Sequence, residues 1–102
     1  MASGTGQILV DPQRVREAAN RVGQIRESAN GNISQLNLAM DSLRVEWAGA
    51  AQTRFFEQYQ QVQLSMTRYI EWLDHMKQDL ETTANRFEEV ERELSARILG
   101  KT

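Results

Sequence analysis

An apolar heptad repeat runs through most of the chain and is broken once, at Trp47-Ala48-Gly49, near the midpoint of 102 residues. A repeat of seven keeps apolar side chains on one side of an α-helix, which constrains the chain to long helices. The only proline, Pro12, follows Asp11. A carboxylate at the N-cap accepts from free first-turn amides, and a proline just inside the helix loses no bond there. No helix breaker of that strength comes later. The pattern predicts an all-α hairpin: helix 1 over 12–46, a turn at 47–49 and helix 2 over 50–98. Residues 1–10 read as a flexible N-terminal tail, and 99–102 as a C-terminal tail with Gly100 as the stop signal. At the usual rise the helices would be roughly 50 and 70 Å long, so the molecule must be a rod.

Two lines of side chains define the expected seam. In helix 1, Val15, Val22, Ala29, Leu36 and Leu43 stand seven apart, with Ala18, Ile25 and Ala39 between them. A second stripe, Ala19, Ile33, Met40 and Trp47, widens the face. In helix 2 one line is Tyr59, Met66, Leu73, Leu80, Phe87 and Leu94. The other is Phe55, Val62, Tyr69, Met76 and Val90, with Thr83 as its polar interruption. Phe56, Leu64, Ile70 and Trp72 fall off both lines and are expected to stand outside the hairpin as a surface for a second chain. So broad an apolar face suits more than two helices, and predicts dimerisation into an antiparallel four-helix bundle, as a homodimer. Ala29-Asn30-Gly31-Asn32 is the weak stretch of helix 1, yet the register is the same on either side. The helix is therefore read as continuous, with any kink placed there.

Composition removes most kinds of chemistry. Without cysteine there is no disulfide and no thiolate metal site, which leaves oligomerisation as the source of extra burial for a thin rod. A net charge of −2 with both signs interspersed offers no basic stripe for nucleic acid. No apolar run approaches the ~20 residues that span a bilayer, and Met1–Val10 lacks the pattern of a cleaved signal peptide. One histidine and scattered serines supply no nucleophile with a positioned base, so no catalytic residue and no enzyme activity are expected. Glu88, Glu89, Glu91 and Glu93 read as a soluble face, and no metal site or cofactor is expected.

The Trp-X-Gly turn between two long helices, at this chain length, resembles the WXG-hundred family of small proteins of type VII secretion. The resemblance covers Ile8 to Leu99 and implies a secreted protein that leaves the cytoplasm as a folded dimer, either with itself or with a second Trp-X-Gly protein. It implies no cleaved signal peptide, a cytoplasmic stage before export, and recognition by the membrane ATPase of that system. In the family the Trp-X-Gly turn of one subunit lies beside the C-terminal segment of its partner. Trp47 and Gly49 match the turn motif directly. The family's Tyr-x-x-x-Asp/Glu export motif corresponds to Phe87-Glu88-Glu89-Val90-Glu91, with phenylalanine in place of tyrosine. Phe87 and Glu91 share a helical face, and stand either as an export signal or as a seam aromatic beside a solvated carboxylate. His75 and Asp79 resemble a His-x-x-x-Asp/Glu pattern of some relatives, but stand far from the chain end and read as an exposed helical pair.

Folding back at the turn sets Pro12 opposite Ala84, so Asn85–Ile98 is expected to run beyond helix 1. Phe87, Val90, Leu94 and Ile98 continue the apolar line there, and need a second subunit, a receptor or the N-terminal Gln7-Ile8-Leu9-Val10 to cover them. Two rival functions remain: a cytoplasmic helical adaptor or assembly module without export, and a membrane-active amphipathic protein. The second is disfavoured because the face of Phe56, Ile70 and Trp72 lacks flanking lysine and arginine.

Overall fold

A computed structural model describes residues 11–100. The all-α hairpin that the heptads predict is the observed fold: α1 runs over Pro12–Glu46 and α2 over Ala50–Gly100. They lie antiparallel in a rod of 80 × 25 × 15 Å with a radius of gyration of 22.9 Å. A compact chain of this length would have a radius of about 13 Å. The expected tails at 1–10 and 101–102 lie outside the described residues, whereas Leu99 and Gly100, also assigned to a tail, are helical.

Local chemistry explains both ends of α1. The Gln13 N–H donates to Asp11 Oδ1 at 2.9 Å, and Pro12 opens the helix and is buried. At the far end the Trp47 N–H donates to the Leu43 carbonyl at 3.0 Å, and Gln52 Nε2 donates to the Arg44 carbonyl at 3.4 Å. These bonds satisfy carbonyls that a helix end leaves free. Gly49 has φ +115, a backbone conformation that residues with a Cβ rarely adopt, and its carbonyl accepts from the Thr53 N–H to start α2. Through Ala29–Asn32 α1 is unbroken.

The seam differs from the expected one on both helices. In α2 the Tyr59 line does face α1, but its neighbour is Phe56, Gln63, Ile70, Lys77 and Ala84; Val62, Tyr69 and Val90 are exposed. In α1 the line facing α2 is Pro12, Ala19, Arg26, Ile33, Met40 and Trp47, with Val15, Val22 and Ala29 of the expected line half-buried beside it, while Leu36, Leu43, Ala18, Ile25 and Ala39 are exposed. Three adjacent apolar lines per helix leave two ways to choose a pair. Polar side chains at 26, 63 and 77 hid the pair that is used.

Polar partners make that choice tolerable. Tyr59 Oη donates to Asn37 Oδ1, and Gln63 Nε2 donates to the same oxygen at 3.3 Å. Arg26 Nε donates to Asp74 Oδ1 at 3.0 Å, and Arg16 donates to Asn85 Oδ1 at 2.7 Å and also to Glu88. Such groups in a helical seam fix its register. They also move the expected overhang, because Arg16 holds α2 as far as Glu88 rather than ending at Ala84.

Candidate functional site

The turn is held by an aromatic cluster. Ring centroids lie 5.4 Å apart for Trp47 and Phe55, 6.2 Å for Trp47 and Phe56, and 5.1 Å for Phe55 and Phe56; Tyr59 continues the set at 6.3 Å from Phe56. The tilted and edge-on geometries are those aromatic quadrupoles favour. The Arg44 guanidinium sits 4.4 Å above the Phe56 ring, a cation–π contact. Trp47 is half-buried, so the indole packs over the turn end of the hairpin while part of it stays accessible.

Of the four residues expected to form an outward surface, the structure removes two. Phe56 is 6% exposed and belongs to the turn cluster. Ile70 is half-buried and lines a groove with Arg26, Ile33 and Asp74. Trp72 is exposed and stacks on Tyr69 with ring centroids 6.2 Å apart. Leu64 is exposed too, but on the other side of the rod, where Leu38 and Val45 also face outward.

The surface that replaces the expected one is a stripe. At about 100° per residue, Val62, Tyr69, Trp72, Met76, Phe87, Val90, Leu94 and Ile98 fall within a sector of about 80° on α2. Ala18, Ile25, Leu36 and Leu43 occupy a narrower sector of α1, and antiparallel pairing turns both stripes to the same side. Exposure along the Tyr59 line shows how the stripe arises: Tyr59 7%, Leu73 4%, Phe87 37%, Leu94 52%. A strict heptad line drifts about 20° per repeat around a straight helix, so it starts under α1 and ends beside it. The sequence signal for this lies in the Val62, Tyr69 and Val90 line, which the heptad pattern alone places in the seam.

Phe87 and Glu91 lie one turn apart on α2, both exposed, just past the point where Arg16 holds Glu88. Trp47 and Gly49 stand at the other end of the rod, about 55 Å away along α2. The two motifs cannot meet within one chain. Asp74 raises the Arg26 pKa above its already high ordinary value, chiefly through their hydrogen bond, against partial desolvation. Among the described residues no group of three His, Cys, Asp or Glu is placed to hold a metal, and no helix is long and apolar enough to cross a membrane.

A family model described as WXG100, proteins of 100 residues with WXG, matches residues 7–92. The chain belongs to the WXG100 family. Protein YukE of Bacillus subtilis (strain 168) is similar to this chain, 28% identical over 95 residues, covering 93% of this chain and 98% of YukE. Type VII secretion system extracellular protein A of Staphylococcus aureus (strain USA300) is 30% identical over 88 residues, covering 86% of this chain and 91% of that protein. Crystal structures of the secreted protein EsxB from Bacillus anthracis have the same fold. Wild-type EsxB aligns with a TM-score of 0.73 at 27% identity over 82% of this chain and 90% of EsxB. A point mutant of EsxB aligns with a TM-score of 0.75 at 26% identity over 86% and 99%. Trp47 and Gly49 are therefore the WXG element of this WXG100 chain.

Proposed function

We propose that this chain is a secreted protein of a type VII secretion system, exported without a cleaved signal peptide as a folded dimer. Its role in this reading is that of cargo and export partner, and no catalytic step is assigned to it. Support comes from the WXG100 membership and from relatives named as extracellular or secreted proteins. The observation that carries the dimer is the one-sided apolar stripe, which a hairpin cannot cover with its own two helices. At ~25 cal/mol per Å² of apolar surface, covering aromatic side chains such as Tyr69 and Trp72 favours association. A second copy of this chain laid antiparallel against that side forms a four-helix bundle. A second Trp-X-Gly protein would serve by the same chemistry.

Antiparallel association also brings Trp47 of one subunit toward Phe87 and Glu91 of the other, which one chain alone keeps about 55 Å apart. In this reading the pair of elements forms the surface presented to the membrane ATPase. The test is secretion. The protein is expected in culture medium when the system is intact and only inside cells when the ATPase is deleted. Phe87→Ala with Glu91→Ala should abolish export while leaving the protein helical and, since Tyr69 and Trp72 are kept, still dimeric, if less tightly. Wild-type secretion of that double variant would reduce the pair to a seam aromatic and a solvated carboxylate. Retention in the cytoplasm with the system intact would favour an adaptor or assembly module instead.

A further inference from the structure

The two halves of the hairpin are held by different forces. Beside the turn, Trp47, Phe55, Phe56 and Tyr59 interlock, with Arg44 over Phe56. Toward the free end no aromatic is buried among the described residues: the buried groups are Pro12, Ala19, Leu73 and Ala84, and the helices are also joined by Arg26 to Asp74 and by Arg16 to Asn85 and Glu88. The side chains of these ion pairs are each about a third to a half exposed. Pairs so exposed are weak and screened by salt. Between the halves lies Asn30-Gly31-Asn32, all exposed and all poor helix formers. A Cβ added at Gly31 would meet nothing within 4 Å, so Gly31 itself makes no packing contact on the side its Cβ would occupy.

We propose that the hairpin opens from its free end: residues 12–28 swing off α2 about a hinge at Asn30–Asn32, while the aromatic half stays closed. Opening uncovers the α2 segment Asp74–Glu88, a surface available only while the arm is away. The arm and that segment are thus one cooperative unit of lower stability than the turn half, and salt weakens its latch.

Hydrogen exchange of the full chain, read by mass spectrometry at low and high salt, tests this. Peptides from 12–28 and 74–88 should exchange together, about tenfold or more faster than those from 33–46 and 52–66, and faster still in high salt. Gly31→Ala should slow the arm about fivefold, through helix propensity at the hinge, and leave 33–46 unchanged. Replacing both ion pairs, by Arg26→Leu with Asp74→Leu and Arg16→Leu with Glu88→Leu in one chain, should remove most of the salt dependence. Equal exchange along both helices, or equal slowing of both halves by Gly31→Ala, would overturn the hinge. Salt dependence that survives removal of both pairs would overturn the latch.

Discussion

Lys77 lies across the backbone of Gly23, so close that a Cβ built on Gly23 would stand 2.9 Å from Lys77 Cε. The lysine stem thus fills the space between the helices, and its Nζ donates to Glu81 Oε2 at 3.3 Å. Such a side chain keeps its charge at the edge while its methylenes pack. Gly23→Ala gains helix propensity and asks only a flexible stem to shift, so its melting temperature should change little. Gly23→Leu should cost about 1–3 kcal/mol, and Lys77→Ala in the same chain should recover most of it, as read by chemical denaturation.

Gly49 is set by its backbone rather than by space, since a Cβ there would meet nothing within 4 Å but φ is +115. Gly49→Val should destabilise the hairpin by about 1–3 kcal/mol, the range for a backbone held in a sparsely allowed region. Thermal melts by circular dichroism check this. An unchanged melt would show that the turn rearranges at no cost.

Phe56 and Trp47 touch each other yet should respond differently to truncation. Phe56→Ala removes a buried ring at the centre of the cluster and should cost about 3–5 kcal/mol. Trp47→Ala removes a half-buried one and should cost less, leaving a helical dimer that melts earlier. If stability is unchanged in Trp47→Ala while secretion is lost, the indole serves recognition and not closure.

The apolar stripe predicts which substitutions give monomers. Tyr69→Glu with Trp72→Glu should shift sedimentation from dimer to monomer, whereas Leu64→Glu, on the other side of the rod, should leave the dimer intact. Burial of a large apolar side chain is worth ~1.5–3 kcal/mol, so two lost aromatics change the dissociation constant by orders of magnitude. A dimer that survives the double glutamate would place the interface elsewhere.

Sequence by itself determined the all-α hairpin, its turn and the start of α1, because each rests on local chemistry: a heptad period, the Asp11-Pro12 cap and a glycine able to take positive φ. It also determined that apolar side chains exceed what two helices can bury. What it left open was which lines of that broad face turn inward, so that Phe56 and Ile70 read as outward while Val62 and Tyr69 read as seam. Only the tertiary structure decided this. Arg26, Gln63 and Lys77 look like surface residues until Asp74, Asn37 and the gap at Gly23 are placed beside them. Period sets the spacing of side chains around one helix, but the direction that faces inward is set by the partner helix, which satisfies some polar groups and leaves other apolar ones uncovered.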